Sequence, residues 1–148
     1  ALVIGALLMG TTPAAAQSYR NLTDEAAASL AAFHNAERTS RIAGDVLIAA
    51  GSQLRGDAAI LNGPLVIEGE VSGRILVVNG SVFLTPGARV TGELVVVGGD
   101  VEGAADATVD GDIVVYREAF ETILFYAALW SSGNGGTILA GALTAIVL

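Results

Sequence analysis

The 148-residue chain has room for one domain with a modest core. Its net charge of −8, with seven Arg and no Lys, excludes the cationic surface that binding to nucleic acid requires, and the lack of Cys excludes a disulfide or a thiolate metal centre. Apolar residues make up 53% of the chain but aromatics only 5%, which favours short Val, Ile and Leu strands broken by Gly over helices packed through large side chains.

From Ala1 to Met9 the chain is apolar, Thr11, Thr12 and Pro13 break the run, and Ala14, Ala15 and Ala16 offer small residues to a signal peptidase. Residues 1–16 are expected to be a signal segment cut before Gln17, and the protein to be exported to the periplasm or cell envelope. Residues 17–43 are polar and Ala-rich. Thr23-Asp24-Glu25 makes a helix start before Leu30 and Phe33, so a short helix or linker is expected. His34, the one histidine, falls in this stretch and reads as a surface or packing residue.

At Gly44 the texture changes. Residues 73–91, GRILVVNGSVFLTPGARVT, are followed by GELVVVGGDVEGAADATVD at 92–110, and GDIVV opens a third copy at Gly111. The blocks agree at Gly73/Gly92, Ile75/Leu94, Val77/Val96, Gly80/Gly99, Val82/Val101, Ala88/Ala107 and Val90/Val109. Gly56 to Ser72 joins the series two residues shorter, aligning Asn62-Gly63 with Asn79-Gly80, and the turn from Gly44 to Arg55 is shorter still. Repeats of about 17 to 19 residues indicate a solenoid, in which each unit buries its apolar side by stacking on the next.

Within a unit the apolar positions alternate with period two, as in strands with one buried face. Three short strands per unit, turned at Asn-Gly, Pro-Gly and Thr-Gly corners, make a triangular coil. About four coils at about 4.8 Å each give a rod of roughly 20 Å over residues 44–116. The fold expected is all-β, a β-helix. Its spacing does not keep the six-residue apolar period of left-handed forms, so the right-handed form is favoured. The residues expected to stack inside are Ile75, Val77, Val82, Val90, Leu94, Val96, Val101, Val109, Ile113 and Val115.

On the first strand of each unit the outward positions are apolar too. Leu76, Val95 and Val114, with Val78, Val97 and Tyr116, would stack into a greasy strip. Such a strip marks a contact surface, here a candidate for self-association, unless the N-terminal helix or the C-terminal segment lies over it.

Acidic residues follow turn glycines at Asp45, Glu70, Glu93 and Asp112, expected to stack near one edge, with Asp100, Asp106 and Asp110 nearby. Clustered acids can hold Ca²⁺ or act as acid and base. However, a carboxylate after a turn glycine is ordinarily solvated, and Arg74 interrupts the series. His34 precedes the repeats, away from any coil-to-coil site. Gly133-Asn134-Gly135-Gly136 lacks the Lys and Ser/Thr of a phosphate loop. No nucleophile–base pair is visible, so the expectation is a non-enzyme with no metal or cofactor.

The region 117–148 is apolar again. Phe120 to Trp130 and Ile138 to Leu148 are eleven-residue runs, each short of the about 20 residues that span a bilayer. The second is expected to begin a membrane segment that the sequence cuts short, giving a membrane tether. The other reading is a helix that caps the solenoid.

The recurring G-[DE]-[VIL] triplets, and phrases such as Val90-Thr91-Gly92-Glu93-Leu94-Val95-Val96-Val97-Gly98-Gly99, resemble the bactofilin family of polymer-forming bacterial cytoskeletal proteins. The resemblance covers Gly44 to Tyr116, about half the chain. It implies a right-handed β-helix that assembles end to end into filaments without nucleotide, often at the membrane. The apparent signal segment and the apolar C-terminal region depart from cytoplasmic members and are similar to an exported, membrane-associated set. The expected function is a structural scaffold that partners itself. The alternatives are an envelope polysaccharide-binding module, disfavoured because Phe83 is the sole aromatic between Gly44 and Val115, and a β-helix enzyme.

Overall fold

The computed structural model describes residues 17–117. The expected signal segment over 1–16 lies outside the described residues, as does the apolar C-terminal region apart from Arg117.

The described residues open with strand β1 (Gln17–Arg20) and helix α1 (Asp24–Asn35). Thr23 caps the helix: its hydroxyl accepts from the Ala26 N–H at 3.1 Å, and Asp24 and Glu25 occupy the first turn, where carboxylates oppose the helix dipole. Winding then begins. The first coil is β2 (Ser40–Ala43), β3 (Val46–Ile48) and β4 (Gln53–Arg55), and the second is β5 (Ala58–Leu61), β6 (Leu65–Ile67) and β7 (Glu70–Ser72). The third is β8 (Ile75–Val78), β9 (Val82–Leu84) and β10 (Arg89–Val90), and the fourth is β11 (Leu94–Val97), β12 (Val101–Glu102) and β13 (Thr108–Val109). A last strand, β14 (Ile113–Tyr116), opens a fifth turn.

Three parallel sheets result, ordered β1-β14-β11-β8-β5-β2, β12-β9-β6-β3 and β13-β10-β7-β4. Along the first sheet Ala58 pairs with Ile75, Ile75 with Leu94 and Leu94 with Ile113, steps of 17, 19 and 19 residues. The described residues therefore form a β-solenoid of four complete coils with one short helix, at the period read from the sequence. It begins earlier than expected, because Ser40–Ala43 pairs with Ala58–Leu61. The first strand lacks the Gly-acid-apolar opening of its fellows, and the residues expected to form a linker instead supply two strands of the sheet.

Glycine sets the coil spacing along one corner of successive coils. A Cβ on Gly80 would overlap the Gly63 carbonyl, and one on Gly99 would overlap that of Gly80. Backbone stacks directly on backbone there, leaving no room for a side chain. The neighbouring Asn62 and Asn79 take left-handed φ of 58° and 57°, and the Asn79 side-chain N–H donates to Asn62 Oδ1 at 3.0 Å. Amide stacking of this kind ties adjacent coils at a turn that asparagine tolerates better than other non-glycine residues.

The interior holds every residue expected there. Ile75, Val77, Val82, Val90, Leu94, Val96, Val101, Ile113 and Val115 are buried in one cluster, and Val109 packs half-buried against it. The second coil adds Ala58, Ile60, Leu65, Ile67 and Val71. A second apolar layer lies outside the first sheet, where α1 covers the strip.

The strip is consequently not a free surface. Leu76, Val78 and Val97 are fully buried, Val95 and Val114 nearly so, and Tyr116 is 9% exposed, all packed with Ala27 and Leu30 of α1. The expected self-association surface is corrected to an internal interface. Four consecutive apolar residues in β8 and β11 have both faces buried, the pattern of a covered parallel strand. Small Ala27 and Ala31 let the helix sit close to the sheet. Twelve helical residues span about 18 Å, and five strand spacings from β1 to β2 span about 24 Å. With its short flanking segments, α1 thus runs the length of the rod.

Candidate functional site

The features with unsatisfied chemistry are the two ends of the solenoid. Among the described residues β2, β3 and β4 at one end, and β1, β12 and β13 at the other, have a strand neighbour on one side only. In β2 the Ser40 and Gly44 N–H groups donate inward to the Asp57 and Leu61 carbonyls, at 2.9 and 2.8 Å. Alternation in a parallel ladder then turns the N–H of Arg41 and Ala43 outward. Beneath these edges the core is left half-open, with Ile42, Val46, Ile48 and Leu54 only partly buried.

The opposite end is finished differently. β1 pairs in register with β14, placing Gln17 and Tyr19 beside Ile113 and Val115. Coils two to five each put two inward apolar residues at these positions, whereas β1 puts polar ones. Gln17 Nε2 donates to the Val101 carbonyl in β12 at 3.0 Å, so one side chain reaches from the first sheet to the second. The Tyr19 hydroxyl donates to Gln17 Oε1 at 3.0 Å, and the Arg117 guanidinium lies 4.2 Å from the Tyr19 ring centroid. The first sheet thereby ends in hydrogen-bonding side chains, as in a terminal repeat, while the other two sheets end in β12 and β13 with Ala107 and Val109 half-buried. Sequence reasoning missed this, because the pairing joins QSYR to a strand more than 90 residues away.

Arg74 fastens the arm at its other end. Its guanidinium sits 4.8 Å from the Phe33 ring centroid and makes an ion pair with Glu93, Nε to Oε2 2.6 Å, without the alignment of a hydrogen bond. Its backbone N–H donates to Asp57 Oδ1 at 3.0 Å. Both side chains of the ion pair are about one-third exposed, so solvent screening keeps the contribution small.

The acids expected to share one edge are dispersed over three places. Val82 N–H donates to the Asp100 carbonyl and Val46 N–H to that of Pro64, which puts Asp45 in a corner column with Pro64, Ser81 and Asp100. Glu70 lies within the third sheet, beside Gln53 and Arg89. Glu93 and Asp112 do stack, in a column with Asp57 and Arg74. The Gly-acid-apolar triplet therefore marks three different corners, with Gly44 at a φ of 90° and Gly69 and Gly92 outside the left-handed region. Among the described residues no group of three or more His, Asp or Glu could hold a metal ion.

His34 is buried in α1, with Nδ1 2.9 Å from Asn35 Oδ1 and Nε2 lacking a hydrogen-bond partner. An open depression of about 370 Å³ lies between the second and third sheets, lined by Ser52, Gln53, Glu68, Glu70 and Arg89 with three glycines.

No protein-family model matches the chain, and no solved structure matches it. The anti-sigma-W factor RsiW of Halalkalibacterium halodurans is 46% identical over 46 residues, which are 30% of this chain. The chain covers 22% of the length of that protein.

Proposed function

We propose that this chain is a non-enzymatic structural module of the bacterial cell envelope, a bactofilin-like right-handed β-helix that associates with copies of itself. The observation that carries this reading is the end formed by β2, β3 and β4, where outward N–H groups lie over half-buried Ile42, Val46, Ile48 and Leu54. Unpaired edges of this kind are templates for further strands. Right-handed winding is supported by the connections between first-sheet strands, since parallel crossovers are right-handed in nearly all proteins. Export, and a membrane tether through residues 117–148, rest on the apolar composition of the two ends. The likeness to an anti-sigma factor spans too little of that protein to bring a regulatory role with it.

Self-association through the ends replaces association through the strip, because α1 occupies the strip. Negative-stain electron microscopy and sedimentation velocity on the full chain in mild detergent test the reading. Defined oligomers or filaments that dissociate on dilution are expected, and a monomer at every concentration would refute it.

A second reading is a module that binds envelope polysaccharide. The depression beside Ser52, Gln53, Glu68, Glu70 and Arg89 favours it, since mixed donors and acceptors suit sugar hydroxyls. Binding of cell-wall glycan that is lost in Glu70→Ala together with Arg89→Ala would move the assignment there.

A further inference from the structure

We propose that the apolar segment over residues 120–130 folds back along the second sheet and covers the outward ladder of Leu47, Val66 and Phe83, as α1 covers the first sheet. The proposal is independent of the self-association reading and leaves residues 138–148 for the membrane tether.

The three outer faces of the solenoid carry it. On the third sheet the outward side chains in register are Gln53, Glu70, Arg89 and Thr108, all polar, as on a solvated face. On the first sheet they are apolar, Leu76, Val95 and Val114 among them, and α1 buries them. The second sheet follows the first. Val46, Ile48, Leu65, Ile67, Val82 and Leu84 pack inward, so alternation turns Leu47, Val66 and Phe83 outward, in register on three consecutive coils. Leu47 is 58% exposed and Phe83 37%. Among the described residues neither apolar cluster includes any of the three. Stacked apolar side chains on an outer face mark a contact surface.

The path of the chain selects the occupant. The Gly98 N–H donates to the Tyr116 carbonyl at 3.0 Å, so Arg117 leaves β14 at the corner that leads from the first sheet to the second. Residues 1–16 instead enter at Gln17, the start of a first-sheet strand, on the side of the third sheet. From the level of β14 the second sheet extends over β12, β9, β6 and β3, four strand spacings or about 19 Å. Eleven residues in a helix reach about 17 Å, and Phe120, Ile123, Leu124 and Ala127 recur at the spacing of one helical face.

Charge separates this occupant from the others. Residues 122–130 carry none. Asp45, Glu68 and Asp100 stand at the ends of the second-sheet strands, and Glu102 lies beside Phe83 in the ladder. A second copy of this face, or an anionic lipid surface, would bring acid against acid.

The test uses the full chain in mild detergent. Leu47→Asp with Phe83→Asp alters outward side chains and spares both apolar clusters. By hydrogen exchange, the amides of residues 122–130 should be protected in wild type and exchange at least tenfold faster in this variant. The Leu65 and Val82 amides, which join coils, should keep their rates. Protection absent in wild type, or untouched by the two substitutions, would overturn the proposal.

A second readout leaves the ladder uncharged. Leu47→Cys gives the chain a single thiol, which should react with a charged, water-soluble maleimide at least tenfold more slowly than that of Thr108→Cys on the third sheet. Ile123→Asp with Leu124→Asp should abolish the difference. Equal rates at the two thiols, or a slow rate that survives those substitutions, would overturn the proposal. If the surviving slow rate rises on dilution, the ladder belongs to a second copy instead.

Discussion

Truncation of Leu30 to Ala should loosen the N-terminal arm and spare the coils. Leu30 is 3% exposed, and the other buried residues of α1 are Ala27, Ala31 and His34, so it supplies most of the aliphatic bulk that the helix inserts over the sheet. Leu-to-Ala changes at buried sites cost about 2–5 kcal/mol. The lower half of that range applies, because a peripheral helix can settle toward the strip and refill part of the space. A loss of about 2–3 kcal/mol in the opening free energy of the arm corresponds to about 30- to 140-fold faster amide exchange there, since 1.4 kcal/mol is tenfold. Native-state hydrogen exchange reads this residue by residue. The Ala27 N–H, which donates to the Thr23 carbonyl, and the amides of β1 should accelerate. The Leu65 and Val82 amides, which join coils inside the solenoid, should keep their rates. Equal acceleration throughout would show that arm and solenoid open as one unit, despite packing in separate apolar clusters.

Thr23→Ala removes the hydroxyl that accepts from Ala26 and should cost about 1 kcal/mol of helix stability, visible as faster exchange confined to the first turn of α1. Gly80→Ala drives a Cβ into the Gly63 carbonyl and should destabilise by about 1–3 kcal/mol, in the range of overpacking. Gly51→Ala has open space but a φ of +80°, and should cost about 1 kcal/mol in urea unfolding. If the two glycine variants cost the same, the backbone stacking at Gly80 is not what sets the coil spacing. Val95→Lys with Val97→Lys puts two unpaired charges beneath α1 and should expel the arm or unfold the chain, through the cost of burying an unpaired charge. Unchanged thermal stability in that variant would show that α1 does not cover the strip in solution.

Most of the solenoid was legible in the sequence because its determinants are local. Period-two alternation at Ile75, Val77, Val82 and Val90 assigns strand faces, and Gly-containing corners at Asn79-Gly80 and Thr91-Gly92 assign the turns. Repetition then assigns the stacking, since a coil can bury its apolar side only against another coil. The alignment of Asn62 with Asn79, made by deleting two residues, is the pairing that their side-chain hydrogen bond records. Thr23 as a helix cap was legible for the same reason, as the bond that defines it spans three residues.

What the sequence could not decide was which distant segments meet. Gln17 and Val101 lie 84 residues apart, and nothing local to QSYR says that it will join the sheet beside Ile113–Tyr116. The strip was recognisable as apolar, but whether it faced solvent, another chain or α1 depended on the path of residues 21–39 along the rod. The acidic triplets show the converse: the same local sequence pattern at Asp45, Glu70 and Glu93 landed at different corners, because the winding has three corners and the triplet is compatible with each. Alternation and turn chemistry fix a residue's face and its bend, quantities set by neighbours a few bonds away. Position along the rod and the identity of the covering element are set by burial of apolar surface between segments far apart in the chain, and that is settled only when the coils have stacked.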